Sequence, residues 1–214
     1  MTVDSFSAHR QTADSVTIEG ASTAVLVVDM VNDFCKEGGA MVLPGYEALV
    51  GPQNQVISAA RQAGAPVVFI ADTHRRHMRD EREFRKRTPH CIEGTWGAEV
   101  IDDLDRQPHD PLVIKRRYSA FFNTDLHLTL MDLKVRSVIV MGVVTNICVR
   151  STVHDAFFLG YEVVVPEDTV AATGPREQES SLYDIATHFG TVSTAEEVAG
   201  ALIAGTPIHN REAA

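Results

Sequence analysis

The stretch "RSVIVMGVVTNICVRSTVHDAFFLGYEVVV", residues 136–165, decides the fold class because three patterns follow one another in it. It begins with a short apolar run at residues 136–142, which is typical of a strand buried on both faces. From about residue 146, apolar side chains recur at helical spacing on one stripe, at Val149, Val153 and Phe157. Strand character then returns at residues 161–168. A strand, a helix and a strand in this order predict a right-handed βαβ unit in a parallel sheet.

The same alternation extends outward in both directions. Further buried strands are predicted at residues 23–30, 65–71 and 111–115, followed by a short one near residue 191. Helical spacing separates them at residues 46–64, 123–133 and 176–190. Strands and helices that alternate in this way predict a three-layer αβα domain, with a mostly parallel sheet covered by helices on both faces.

Length, net charge and cysteine content limit the domain number, the partners and the compartment of the protein. The 214 residues predict one domain at 22–214 after a polar N-terminal tail at 1–21. A net charge of -10 argues against nucleic acids or anionic membranes as partners, and no apolar run approaches the ~20 residues of a membrane span. The three cysteines are far apart and odd in number, which argues against a disulfide framework. We therefore expect a cytoplasmic protein with reduced thiols.

Four chemically useful residues stand at strand ends. Asp29, Asp72 and Lys115 end the first three predicted strands, and Cys148 follows the fourth. The carboxyl ends of parallel strands meet at one edge of the sheet, so these side chains should converge there. A single residue of these types at a strand end has a structural role more often than a catalytic one. Together, however, they predict an active site in which Cys148 is the nucleophile and Asp29 is the acid/base. We expect Lys115 and the helix N-terminus to lower the pKa of Cys148, and Asp29 to accept its proton.

Three segments resemble the isochorismatase-like cysteine hydrolases, a superfamily that includes nicotinamidases and ureidoacrylate amidohydrolases: "VLVVDMVNDF", "KRRYSAFFNTDL" and "GVVTNICVRSTVHDAFFLGYEVVVPEDTVAA". The resemblance covers roughly residues 22–195. It implies that Asp29 is the general acid/base, Lys115 its electrostatic partner and Cys148 the nucleophile. It also implies a cis peptide bond before Val144, with the backbone N–H groups of Val144 and Cys148 forming an oxyanion hole.

The resemblance also indicates a substrate pocket. Phe34 lies just past Asp29, Tyr118 follows Lys115, and Trp96 is the single tryptophan in the long polar segment 72–97. We expect these three aromatic residues to wall an apolar pocket above the cysteine, although each could equally belong to the core.

The segment 72–97 raises the question of a metal ion. Asp72, His74 and His90 occupy positions that match the metal ligands of nicotinamidases, so a divalent metal there is one alternative, and simple hydrogen bonding by the two histidines is the other. Arg87 stands where nicotinamidases usually have a tryptophan. It belongs to a basic cluster, expected to face solvent, another subunit or a carboxylate-bearing substrate: Arg75, Arg76, Arg79, Arg82, Arg85, Lys86 and Arg87.

These observations predict a cysteine-dependent amidohydrolase that cleaves a small amide or open-chain ureide through a thioester, with no cofactor required. The short "KRRYSAFFNT" segment is similar to the ureidoacrylate hydrolase branch. The alternatives are a metal-containing nicotinamidase, an isochorismatase-type vinyl-ether hydrolase and an inactive scaffold. Relatives of this superfamily imply a homodimer or homotetramer, for which the Phe157–Phe158 pair is a candidate interface.

Overall fold

The computed structural model describes residues 15–78 and 80–211, in which seven strands form a central parallel sheet and two short strands form a separate antiparallel pair. The strands are β1 (Ser15–Val16), β2 (Thr23–Val28), β3 (Val67–Asp72), β4 (Leu112–Lys115), β5 (Ser137–Val143), β6 (Glu162–Pro166), β7 (Val170–Ala171), β8 (Thr191–Ser193) and β9 (Ile208–His209). The sheet order is β4-β3-β2-β5-β6-β8, with β7 paired to β5, and every one of these pairs is parallel. The predicted fold class is confirmed.

Helices cover both faces of this sheet. They are α1 (Asn32–Cys35), α2 (Glu47–Gln62), α3 (Leu126–Asp132), α4 (Arg150–Phe158), α5 (Pro175–Asp184) and α6 (Ala195–Ala204). Helices α2 and α6 pack on one face, and α3, α4 and α5 pack on the other. Alternate residues of β2 enter the two cores: Val25 and Val27 join the first, whereas Leu26 and Val28 join the second. None of these helices has the length and hydropathy to cross a membrane within the described residues.

The N-terminal boundary differs from the sequence prediction. Ser15–Val16 pairs antiparallel with Ile208–His209, and Ile18 is buried in the core beneath α2. Residues 15–21 therefore belong to the folded domain and not to the predicted tail, whose remainder, residues 1–14, lies outside the described residues. This contact could not be predicted, because a two-residue strand has no measurable periodicity.

Close contact between the two central strands depends on one glycine. Gly142 of β5 lies opposite Val28 of β2 and has a φ of +114°, a conformation that side chains disfavour. A Cβ atom at this position would overlap the carbonyl oxygen of Val28. The glycine thus lets β5 and β2 approach at their carboxyl ends, where the functional side chains lie.

Candidate active site

The sheet brings the three predicted catalytic side chains together at one edge. Lys115 Nζ lies 2.8 Å from Asp29 Oδ2 and 3.6 Å from Cys148 Sγ. Asp29 and Lys115 are fully buried, and Cys148 is 7% exposed. The ammonium therefore bridges the carboxylate and the thiol, as the convergence of strand ends predicted.

The backbone at the end of β2 aims Asp29 at its neighbours. Asp29 has a φ of +55°, the left-handed conformation that aspartate tolerates better than most residues. Its backbone N–H donates to Ile70 O, and its Oδ1 accepts a 2.8 Å hydrogen bond from the backbone N–H of Asp72. One carboxylate oxygen is thus held by β3, while the other faces Lys115 from β4.

Burial and neighbouring charges set the pKa values of Asp29 and Lys115. Burial raises the pKa of Asp29 to about 6, although Lys115 acts in the opposite direction. Burial alone would lower the pKa of Lys115, but the anions around it raise that pKa well above its ordinary value. The site therefore holds a permanent ammonium beside a carboxylate that titrates near neutral pH, which suits a general acid/base.

The ionisation of the thiol differs from the sequence prediction. Burial raises the pKa of Cys148 well above its ordinary value, and Asp29 and Asp72 add to this effect, whereas Lys115 lowers the pKa. The expectation of a lowered pKa was wrong, because burial and the two neighbouring carboxylates outweigh the effect of Lys115. This shift favours the protonated form of the Cys148 thiol.

Cys148 lies in a π-helical turn, Thr145–Val149, between β5 and α4. The peptide bond between Val143 and Val144 is cis, at the place that the family resemblance implies. The carbonyl of Val144 accepts hydrogen bonds from the N–H groups of Ile147 and Val149, at 3.1 and 3.3 Å. Val144 and Cys148 therefore lie on one tight turn, and both line the cavity described next.

A cavity of about 320 Å³ opens above Cys148. The segment at residues 41–44, with Phe34 and Ile147, forms its mainly apolar wall, and polar residues that include Glu83, Arg87 and His90 form its polar wall. The lining residues that sequence analysis singled out as pocket or catalytic groups are Phe34, Tyr118, Val144 and Cys148. Those it missed as pocket residues include Glu83, Asn146 and Thr173; Asn146 and Thr173 hold each other through two hydrogen bonds.

Trp96 was wrongly predicted to wall this cavity. Its side chain is 49% exposed, and it is not among the residues that line the cavity. Asn32 donates a 2.8 Å hydrogen bond to the Trp96 carbonyl, and the next residue, Gly97, packs against the Asp33 carboxylate so closely that a Cβ would overlap it. These contacts fix the tryptophan turn against α1, away from the cysteine.

Asp33 also organises the two segments that approach the cavity. Its Oδ1 accepts a hydrogen bond from Ala40 N–H at 3.0 Å, and its Oδ2 accepts one from Cys91 N–H at 2.6 Å. The first bond holds the start of segment 41–44, and the second holds the residue after His90. A single carboxylate in α1 thus joins both walls, a role that no local pattern in the sequence indicated.

A cluster of four potential ligands adjoins the cysteine. Asp72, His74, Glu83 and His90 each offer one ligand atom within 4.8 Å of the others. The predicted three therefore converge, and Glu83 is the member that sequence analysis missed. Asp72 Oδ1 also lies 3.5 Å from Lys115 Nζ, so this cluster adjoins the group of Asp29, Lys115 and Cys148.

The orientation of the histidines fits a bound cation. His90 Nδ1 lies 2.7 Å from Thr88 O and donates its proton there, which turns Nε2 toward Asp72 and Glu83, each 3.5 Å away. An Nε2 lone pair facing two carboxylates is repelled unless a proton or a metal ion lies between them. Burial alone would lower the pKa of His90, but hydrogen bonds to Asp72, Glu83 and Thr88 raise it to about 10. Two histidines and two carboxylates are also a suitable donor set for zinc, iron or manganese.

The residues of the basic cluster make different contacts. Arg85 pairs with Asp80, both exposed, and Arg76 donates to the carbonyls of Glu93 and Gly94. Arg87 alone among the cluster's described members lines the cavity with Cys148. Arg79 lies outside the described residues.

Comparison with known proteins shows which family the chain resembles. The family model for the Isochorismatase domain matches residues 23–197. Ureidoacrylate amidohydrolase RutB of Agrobacterium fabrum is 30% identical over 219 residues, covering 91% of this chain and 96% of the relative.

Two solved structures have the same fold. A cysteine hydrolase from Pseudomonas syringae pv. phaseolicola 1448A superposes with a TM-score of 0.85 at 31% identity, covering 92% of this chain and 99% of the other. The pyrazinamidase of Pyrococcus horikoshii in complex with zinc superposes with a TM-score of 0.75 at 29% identity, covering 81% and 99%.

Proposed function

Because this chain belongs to the isochorismatase-like cysteine hydrolase superfamily, we propose that it is a cysteine-dependent amidohydrolase acting on a small open-chain ureide or amide. The observation that carries the proposal is the ion-paired group of Asp29, Lys115 and Cys148 at the base of one cavity. The remaining contacts of the site support a division of roles among these residues.

Cys148 attacks the substrate carbonyl while Asp29 takes the thiol proton. A raised thiol pKa favours this coupled transfer, since a free thiolate is not stable in the buried site. A sulfur–carbon bond forms, and the carbonyl electron pair moves onto the oxygen. The N–H groups of Val144 and Cys148 are proposed to donate to that oxyanion. Lys115 keeps its positive charge beside the carboxylate and the sulfur throughout.

Collapse of the tetrahedral species breaks the carbon–nitrogen bond, and Asp29 returns the proton to the departing ammonia or amine. The remaining acyl-enzyme is a thioester when the substrate is an amide and a thiocarbamate when it is a ureide. Asp29 then takes a proton from water, which attacks the acyl carbon, and the thiol of Cys148 is regenerated. A carboxyl pKa of about 6 suits both proton transfers near neutral pH.

The name of the RutB relative supports a ureide as the substrate class. The cavity, of about 320 Å³, suits a small molecule. The exposed Tyr118 and the half-buried Phe34 line it and are proposed to contact the substrate. Trp96 has no part in this proposal.

A panel of ureides, aliphatic amides and nicotinamide tests the function, with ammonia release as the measurement and Cys148→Ala as the blank. We expect kcat/KM for the best ureide to exceed that for nicotinamide at least tenfold. If nicotinamide is the best substrate, the second candidate below replaces this proposal. If none of these is turned over, and Cys148 reacts with iodoacetamide no faster than the buried Cys35 and Cys91, the chain is a scaffold.

The second candidate is a metal-containing nicotinamidase. The observation that favours it is the set of Asp72, His74, Glu83 and His90, together with the similarity to a pyrazinamidase in complex with zinc. These four residues would hold the ion, which when bound would polarise a ring nitrogen of the substrate. The same histidines and carboxylates also form a self-consistent set of ion pairs without a metal, so we propose that catalysis does not depend on one.

Elemental analysis separates these alternatives. The purified protein is analysed for zinc, iron and manganese, beside the variants Glu83→Gln and Glu196→Gln; the second removes an exposed carboxylate from α6 as the control. A metal-dependent enzyme would contain about one metal ion per chain, lose it in Glu83→Gln alone, and lose turnover with it. Unchanged turnover after chelation supports the metal-free proposal.

We further propose a cytoplasmic, homo-oligomeric protein. The free cysteines Cys35, Cys91 and Cys148 are consistent with a reducing compartment. Phe157 and Phe158 are exposed and pack against each other and against Phe189, which makes this aromatic cluster a candidate contact between two copies. Sedimentation of the Phe158→Ser variant tests the contact: dissociation to monomers supports it, and an unchanged oligomer contradicts it.

A further inference from the structure

We propose that the guanidinium of Arg87 binds a carboxylate carried by the substrate and thereby restricts the enzyme to small anionic ureides and amides. This inference rests on the proposed amidohydrolase function and adds to it the residue that selects the substrate. Within the described residues, Arg87 is the one arginine that lines the cavity above Cys148.

Arg87 is charged, exposed and without an acidic partner. Its Nη1 donates a 3.0 Å hydrogen bond to the carbonyl of Lys86, and in the described part of the chain no carboxylate lies within 4.0 Å of it. Nearby arginines differ: Arg85 pairs with Asp80, and Arg117 pairs with Glu81. Of these three arginines, Arg87 lines the cavity and is the one whose charge remains available for an anion.

The other cations near the cavity are already committed. Lys115 is fully buried and pairs with Asp29 and Asp72. The Nε2 of His90 faces Asp72 and Glu83, so any charge on the ring is balanced within the protein. An anionic group of the substrate would thus find its counter-ion at Arg87 and at no other described residue that lines the cavity.

The rest of the cavity makes this selection effective. Phe34, Ile147 and the segment at residues 41–44 offer mainly apolar surface, which cannot compensate a desolvated carboxylate. Glu83, on the polar wall, has its two carboxylate oxygens 3.9 Å from His74 Nε2 and 3.5 Å from His90 Nε2, so its charge is balanced by these histidines. A planar guanidinium can hold a carboxylate through two parallel hydrogen bonds, which fixes orientation as well as charge.

The proposed substrate class follows from these contacts. One end of the molecule is a ureide or amide whose carbonyl reaches Cys148 Sγ, and the other end is a carboxylate that reaches Arg87. A short spacer must join the two ends, because both groups line the same cavity of about 320 Å³. Uncharged ureas would bind without the ion pair and are expected to be poor substrates.

The test compares 3-ureidopropionate with 1-butylurea, an uncharged urea of similar length, by ammonia release. We expect wild-type enzyme to prefer the anion, and Arg87→Gln to reduce that preference roughly 10- to 100-fold through a higher KM for the anion, as loss of a charge-assisted contact predicts. Arg87→Lys should restore part of the preference. Arg82→Gln removes the same charge from an exposed residue of the same segment that does not line this cavity, and should keep the wild-type preference.

Binding to an inactive variant keeps this inference distinct from the proposed function. Titration calorimetry measures the affinity of 3-ureidopropionate for Cys148→Ala and for Cys148→Ala with Arg87→Gln. A roughly 10-fold or larger weakening in the double variant supports the Arg87 contact even if wild-type enzyme hydrolyses no ureide, which would overturn the function alone. Equal affinities, a preference that Arg87→Gln leaves unchanged, or the same loss in Arg82→Gln would overturn the Arg87 assignment.

Discussion

The two sides of the catalytic cavity are built in different ways. At its base, Asp29, Lys115 and Cys148 are fixed by the ends of adjacent parallel strands and are almost fully buried. At its polar wall, Glu83 and Arg87 come from the long segment between β3 and β4, which is held by separate contacts such as the bond from Cys91 N–H to Asp33. In the proposed mechanism, the strand ends therefore supply the reacting groups, and the loop supplies the residue that selects the substrate.

The largest loss of activity should follow removal of Asp29, the proposed general base. Asp29→Asn keeps the size of the side chain but cannot take the thiol proton, so kcat should fall by roughly 10²- to 10⁴-fold. Steady-state kinetics with the best ureide measures the loss. Asp132→Asn at the exposed end of α3 is the matched control and should keep full activity. A loss below tenfold in Asp29→Asn would contradict its assignment as the base.

Removing a buried charge should affect folding far more than removing an exposed one. Lys115→Met leaves Asp29 and Asp72 buried without their ammonium, so the free energy of unfolding should fall by about 3–5 kcal/mol. Arg85→Gln breaks the exposed pair with Asp80 and should leave unfolding unchanged within error. Urea unfolding followed by circular dichroism compares the two variants. Equal stability of both would show that the strand-end group does not depend on its lysine.

The dependence of kcat/KM on pH should show that Asp29 ionises as a buried carboxylate and not as an exposed one. Asp29 must be ionised to accept the thiol proton, and burial places its pKa at about 6. The value of kcat/KM should therefore fall roughly tenfold per pH unit below that point and level off above it. Initial rates between pH 4.5 and 8 in a constant-ionic-strength buffer provide the measurement. An acid limb centred near pH 4, as for an exposed carboxylate, would argue against a desolvated Asp29.

The smallest effect is expected for a charged residue of the loop that does not line the cavity. Lys86→Gln removes an exposed charge from the residue next to Arg87 without removing the backbone carbonyl that Arg87 contacts. Its kcat/KM for 3-ureidopropionate should change less than threefold, because exposed charges at some distance are screened by salt. A change as large as that of Arg87→Gln would mean that the general charge of the segment, and not one guanidinium, attracts the substrate.

The fold could be predicted from sequence because it depends on regular periodicities. Apolar runs and helical stripes identified the sheet and its layers, and the strand ends correctly placed Asp29, Lys115 and Cys148 together. The short pairing of β1 with β9 was missed because two residues carry no pattern. The loop was partly predictable: the Asp72, His74 and His90 set converges as the resemblance implied, but Glu83 joined it and Trp96 lies outside the cavity.

By itself, the sequence determined the parallel sheet and the meeting of an acid, an amine and a thiol. Continuous apolar runs separated by helices indicate parallel strands covered on both faces, and the carboxyl ends of such strands meet at one edge of the sheet. Only the tertiary structure decided how these groups ionise and which loop residues surround them. Desolvation depends on everything packed around an atom, so it raised the pKa of Cys148 where neighbouring charge and helix position predicted the opposite. Single long-range contacts, from Asn32 to Trp96 and from Asp33 to Cys91, placed the tryptophan outside the cavity and hold the loop that carries Arg87 on its wall.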